Sequence, residues 1–189
     1  MKIRTPLAED LDGLFACLAG YHLHLLGDGP LADADYPPDS LLTVRNRIAE
    51  IRLDTRSLVA VDEDGTVPGF CCWGWHDEGA RAAKTVILTV TRAARERGIG
   101  AALQRARMER MWADGAESIH TWSADPASIA WYVRHFGYRP VGQEPIRHAL
   151  HRFRWHDRVW WGLHRGTFGQ DTLEHLVVDR ATALAHGAA

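Results

Sequence analysis

The chain has 189 residues, 46% of them hydrophobic and 24% charged, with a formal net charge of -2. Such a length suits one domain with an appendage and a core that needs neither disulfides nor metal, and the mixed, near-neutral charge speaks against disorder and against a dedicated nucleic-acid binder. Three cysteines without framework spacing, an N-terminus without an apolar signal core and no apolar run of about 18 residues lead to the expectation of a reduced, cytoplasmic protein that is neither secreted nor membrane-spanning.

Ile3-Arg4 reads as a short first strand. Leu11, Leu14, Phe15, Leu18, Tyr21, His22 and Leu25 recur at helical spacing, predicting a helix from Glu9 to about Leu25. Residues 27–39 hold two glycines, three prolines and four aspartates and read as a loop or lid. Ser40 suits an N-cap for a second helix, with Leu41, Val44, Ile48 and Ile51 as its buried stripe. The period then changes. Strands are predicted at 57–61 and 69–75 around a Glu63-Asp64-Gly65-Thr66 turn, and at 85–90, which is rich in β-branched residues. A glycine-containing loop leads to a helix over 98–113, followed by a strand over 118–122. A further helix over 126–135 has Pro126 in its first turn and Gly137 beyond its end. Strands at 138–141 and 146–153, then an aromatic segment and a helix over 172–185, complete the chain. The order implies a mixed α/β sheet flanked by helices.

The most specific local signal is Arg95-x-x-Gly98-x-Gly100, between a β-branched strand and a helix. Glycines let backbone N–H groups close on a phosphate, and the helix N-terminus adds the positive end of its dipole. Arg92, Arg95 and Arg97 supply further positive charge. Alone, the fragment also fits an ordinary helix start with a solvated basic flank. It lacks the Gly-Lys-Ser/Thr ending of a P-loop and the third glycine of a dinucleotide fingerprint.

The stretch from Val86-Ile87-Leu88-Thr89-Val90 through Arg95-Glu96-Arg97-Gly98-Ile99-Gly100-Ala101-Ala102-Leu103 resembles the acetyl-CoA-binding motif of the GNAT superfamily of N-acetyltransferases. Downstream, Asp125-x-x-Ser128-x-x-Trp131-Tyr132-x-x-x-Phe136-Gly137-Tyr138 resembles a second motif of that family. The resemblance covers residues 1–154 and implies a GNAT-like, mostly antiparallel sheet. Residues 155–189 are then a C-terminal extension, tryptophan-rich with an appended helix, packing on the domain or on a partner subunit.

Several roles are carried over by the resemblance. Backbone groups of Leu88 and Val90, on a strand that splays from its neighbour, would pair with the pantetheine arm of acetyl-CoA and polarise the thioester. Arg95 and the loop amides of Arg97, Gly98, Ile99, Gly100 and Ala101 would hold the pyrophosphate. Tyr132 would protonate the departing thiolate, and Asp125, where the family often has Asn, would sit near the cofactor. The implied reaction moves an acetyl or short acyl group to a primary amine, by direct attack through a tetrahedral intermediate whose oxyanion needs fixed donors. The proton acceptor is left open. Many relatives carry Glu where this chain has Lys84, so His76, Asp77, Glu78 and His120 are the candidates.

Cys71, Trp73 and Trp75 alternate on one strand face, which suits either an acceptor pocket or a core. Eleven histidines show no zinc-ligand spacing: His22-x-His24 on a helix and His148-x-x-His151 on a strand each split faces, so no metal is expected. Exposed, the stretch from Trp155 to Arg165 would form a large apolar patch, which suggests a homodimer contact or a cover over the acceptor site. The expected partner is a small-molecule amine, with no nucleic acid and no membrane. A catalytically silent CoA-binding sensor or assembly module, and a protein-modifying or toxin-like acetyltransferase, are the alternatives.

Overall fold

A computed structural model describes residues 1–14, 16–17, 56–145 and 172–187. Seven strands form one sheet. They are β1 (Lys2–Arg4), β2 (Ser57–Val61), β3 (Gly69–Asp77), β4 (Ala82–Val90), β5 (Ser118–Ser123), β6 (Arg139–Pro145) and β7 (Thr172–Asp179). Their order is β1-β2-β3-β4-β5-β7-β6. The β1–β2, β2–β3, β5–β7 and β6–β7 pairs are antiparallel, and β4–β5 is parallel. The helices are α1 (Ile99–Ala113), α2 (Pro126–Phe136) and α3 (Arg180–Ala185). This is the mixed, mostly antiparallel sheet flanked by helices that the sequence predicts.

The chain divides into two compact units. The first holds residues 1–73 and 86–107. Its core gathers Leu14, Cys17, Val59, Val67, Phe70 and Cys72, with Leu11, Val61, Val86 and Ile87 packed against them. Val59 and Val61 on β2, and Phe70 and Cys72 on β3, are each two residues apart and so share a sheet face. Arg4 and Asp10 seal the N-terminal end with a 2.6 Å bond, and Asp10 also accepts from the Leu7 amide at 2.6 Å. Residues 11–14 and 16–17 are helical, in line with the predicted first helix as far as it is described. The predicted helix over 41–53 and the strand over 146–153 lie outside the described residues, as do His22, His24, His148, His151 and residues 155–171.

The second unit holds residues 74–85 and 108–189. Here Met111, Trp112, Ile119, Phe136, Tyr138, Leu176 and Val178 are buried. Gly137 ends α2 in the left-handed region at φ 71°, where glycine carries no Cβ penalty. One expectation is overturned. Residues 172–179, predicted as the start of a helix, form β7 inside the sheet, between β5 and β6. The run Leu176-Val177-Val178 is buried throughout, as a strand covered on both faces requires. Only 180–185 is helical, and Asp179 marks the true start by accepting from the Thr182 amide at 2.8 Å. The strand predicted at 138–141 runs instead over 139–145, with a bulge between Pro140 and Gly142 that suits an edge strand carrying prolines.

Candidate active site

In the first unit, β4 ends at Val90 and a short 3-10 turn over Arg92–Ala94 leads into the glycine loop. Two of its residues are left-handed: Glu96 at φ 65° and Gly98 at φ 78°. The Gly98 carbonyl accepts the first helical bond of α1, from the Ala102 amide at 3.0 Å. The amides of Ile99, Gly100 and Ala101 therefore have no acceptor inside the helix and point at whatever stands before it. Arg95, Glu96, Arg97 and Gly98 are exposed. Arg97 is held by Asp62, with nitrogen–oxygen distances of 3.2 and 3.3 Å, and Arg95 Nε lies 3.5 Å from the Val90 carbonyl.

The two glycines have different reasons to be glycine. Gly98 is fixed by its backbone, since a Cβ there would touch nothing within 4 Å. Gly100 has no left-handed φ, and its Cβ would meet only Val90 Cγ2 at 3.6 Å, an ordinary contact. The fold alone does not demand glycine at 100. Without a Cβ at 100, the space before these amides is open to a ligand. This cradle fits a pyrophosphate in shape and in sign.

The pairing of β4 with β5 covers only Ala82–Lys84 against Ser118–His120, although β4 continues to Val90 and β5 to Ser123. Thr85 and Thr121 follow, joined through their hydroxyls at 2.6 Å. Leu88 and Val90 lie on the continuation of β4 in the first unit, where both side chains are half-buried.

In the second unit, Asp125 caps α2. Its carboxylate accepts from the Ala127 and Ser128 amides, each at 3.1 Å, and from the Ser128 hydroxyl at 2.5 Å. An aspartate directly before a proline at a helix start announces this role in the sequence. Tyr132 is buried on the same helix at 8% exposure, its ring 5.0 Å from that of Trp131 and 5.1 Å from that of Tyr138.

The four candidate proton acceptors separate. Asp77, the last residue of β3, and Glu78, in the turn that follows, are exposed, and Asp77 accepts from the Ala80 amide at 3.2 Å. His76 and His120 come together, with ring centroids 4.9 Å apart, beside Trp122 and His175. His120 Nε2 meets the Ser118 hydroxyl at 3.0 Å, and its Nδ1 meets His175 Nε2 at 2.9 Å. His175 Nδ1 in turn lies 3.8 Å from Glu144. Trp122 stacks on His175, with centroids 4.4 Å apart and planes 11° from parallel. Burial, then the neighbouring His76 and His175, push His120 down to about 4, against an opposing pull from Glu144. His175 and Glu144 are not among the candidates that the sequence offers, because its pattern places 175 in a helix and 144 between two strands. Among the described residues, no group of three or more His, Cys, Asp or Glu side chains is arranged to hold a metal ion.

A family model described as "Acetyltransferase (GNAT) family" matches residues 27–138, more than half of the chain. The chain belongs to the GNAT acetyltransferase family. This GNAT protein is therefore an acetyltransferase enzyme, drawing its acyl group from acetyl-CoA. Solved structures share its fold. The ribosomal-protein-alanine N-acetyltransferase of Brucella melitensis is 19% identical, over 95% of this chain and 99% of that one, with a TM-score of 0.64. A GNAT phosphinothricin acetyltransferase of Sinorhizobium meliloti, solved with acetyl-CoA, is 21% identical over 94% and 87%, with a TM-score of 0.63. An aminoglycoside 6'-acetyltransferase type Ii is 16% identical over 95% and 97%, with a TM-score of 0.63. No curated protein matches the chain. Among the described residues, no helix is long and apolar enough to cross a membrane.

Proposed function

We propose that this acetyltransferase moves an acetyl or short acyl group from acetyl-CoA to the primary amine of a small molecule by direct attack. The observation that carries the cofactor part is Gly100, a glycine the fold does not need, among the undirected amides of Ile99, Gly100 and Ala101. These amides, with those of Arg97 and Gly98 and the charge of Arg95, hold the pyrophosphate. Bound acetyl-CoA supplies an activated acyl group as a thioester. The backbone of Leu88 and Val90 binds its pantetheine arm, and the Leu88 N–H donates to the acyl carbonyl oxygen. Tyr132 protonates the leaving sulfur. Asp125 serves this machinery by capping the helix that carries Tyr132.

Direct attack is supported by the thiols. Burial raises Cys17 to about 12 and Cys71 to about 11, so neither is poised to take the acyl group itself. For the amine's proton, His76 and His120 are favoured over Asp77 and Glu78. They stand together, and His120 lies 2.9 Å from His175, whose other ring nitrogen faces Glu144 at 3.8 Å. The buried, free cysteines suit a cytoplasmic setting, and the tryptophan-rich stretch after residue 154 suits a homodimer contact, which mass measurement in solution tests.

Gly100→Glu tests the site: calorimetry should show loss of CoA binding with the fold intact, and unchanged affinity would sink the assignment. Thiol release with acetyl-CoA against amines, polyamines, amino acids, aminoglycosides and peptides tests the acceptor class. Turnover confined to peptides would favour a protein-modifying enzyme.

A further inference from the structure

Helix α1 buries one side against the sheet. Its stripe in the first unit reads Leu103, Gln104 and Arg107, each with 0% exposure. An arginine is out of place there. Burying a guanidinium costs several kcal/mol unless its donors are used, and an apolar residue would fill the position without that cost. Both terminal nitrogens of Arg107 donate. Nη1 donates to the Ile87 carbonyl at 2.8 Å and to the Cys72 carbonyl at 3.1 Å, and Nη2 donates to the Gln104 side-chain oxygen.

The Ile87 carbonyl and the Leu88 N–H are the two ends of one planar trans peptide group. A cation bonded to the oxygen draws electron density from the nitrogen, so the N–H becomes a stronger donor. Hydrogen bonds to charged groups are about twice as strong as neutral ones, and bonds in series reinforce each other by roughly 10–30%. The group is also fixed in direction. The same guanidinium grips β3 at Cys72 and β4 at Ile87, and in a trans peptide the N–H points away from the side where the carbonyl is held.

We infer that Arg107 is a positioning residue for acyl transfer: its guanidinium, bonded to the Ile87 carbonyl, orients and polarises the Leu88 N–H that receives the acyl carbonyl oxygen. This rests on the proposed role of Leu88. A donor strengthened from behind counts most when negative charge develops on the oxygen, so the effect falls on the chemical step more than on binding. Arg107 touches no substrate; it acts through the backbone.

The test is the carbonyl stretch of carbonyl-13C-labelled acetyl-CoA bound to the full-length protein, read by isotope-edited infrared difference spectroscopy with calorimetry alongside. In the native protein the band should lie below that of free acetyl-CoA. In Arg107→Met, binding should persist while the band moves most of the way back. In Arg107→Lys the charge remains but the stem is shorter and the planar fork that Gln104 also fixes is lost, so the band should move part of the way. A merely structural brace would lower the thermal midpoint and leave the band in place. An unmoved band in a folded variant that binds acetyl-CoA overturns the inference. Should Arg107→Met fail to fold, Arg107→Lys decides by the same criterion. A native protein that does not bind acetyl-CoA, or binds it without lowering the band, would sink the Leu88 reading itself and the inference with it.

Discussion

Protonation of His120 should weaken the fold by an amount that can be worked out. Its ordinary value is 6.5 and its folded value about 4, with burial as the largest cause and the neighbouring His76 and His175 next. Between those values the unfolded chain binds the proton and the folded chain refuses it. The neutral ring therefore contributes stability that is present above about pH 6.5 and is lost as pH falls towards 4. At about pH 5 the full linkage amounts to roughly 2 kcal/mol, and solvent screening of a half-buried ring reduces this to about 1 kcal/mol. Other groups facing the ring are Ser118 and Trp122 on its own strand, His76 on β3, His175 on β7 and Glu144 on β6. Glu144 works in the opposite direction, because it favours a positive charge in the cluster. The assay is urea unfolding of the native protein and of His120→Gln at neutral and mildly acidic pH. The native protein should lose about 1 kcal/mol more than the variant on acidification. An equal loss in both would show that His120 is not held neutral by its surroundings.

Three further outcomes follow from the geometry. Gly98→Ala should cost about 1 kcal/mol in urea unfolding because it forces a Cβ into a left-handed backbone at φ 78°, whereas Gly100→Ala should leave stability unchanged yet weaken CoA binding in calorimetry. Asp125→Ala removes a cap bonded to two amides and should cost about 1 kcal/mol by thermal unfolding, with Asp125→Asn restoring most of it. Tyr132→Phe should lower the thiol-release rate far more than CoA affinity, and full activity in that variant would refute its role as the acid.

What the sequence makes legible here is what lies close together along it. The strand, loop and helix start from Leu88 to Ala101 are contiguous, so glycine spacing and β-branched residues announce them without knowledge of the fold. The cap at Asp125 and the left-handed Gly137 are equally local. The reading fails at β7. Thr172–Asp179 joins the sheet far from its sequence neighbours, between β5 and β6, and its burial on both faces removes the alternation that marks a strand. The alanine-rich residues after it pull the reading towards a helix. Capping residues do not separate the two starts, since Asp171 stands before Thr172 just as Asp179 stands before Arg180. Arg107 escapes for a different reason. In a helical pattern an arginine marks the solvent face, and only the carbonyls of Cys72 and Ile87 give it cause to be inside.

That division has a physical origin in what each task requires. Phosphate is the same on every acyl-CoA, and backbone amides at a helix start bind it wherever glycine lets them approach; a short contiguous motif is sufficient. Removing a proton from an amine needs a side chain of suitable basicity, and basicity is set by burial and by neighbouring charges. His120 acquires its low value from burial and then from His76 and His175, against the opposing pull of Glu144, and these three residues lie on three other strands. No local pattern can encode that, and assigning β7 to a helix removes His175 from the group altogether. A single substitution should therefore separate the two tasks. His175→Phe keeps an aromatic partner for Trp122 but removes the nitrogen that meets His120 and the one that faces Glu144. It should leave CoA affinity unchanged while altering the pH dependence of acyl transfer. If CoA affinity falls instead, the histidine cluster belongs to the cofactor site and not to the path of the proton.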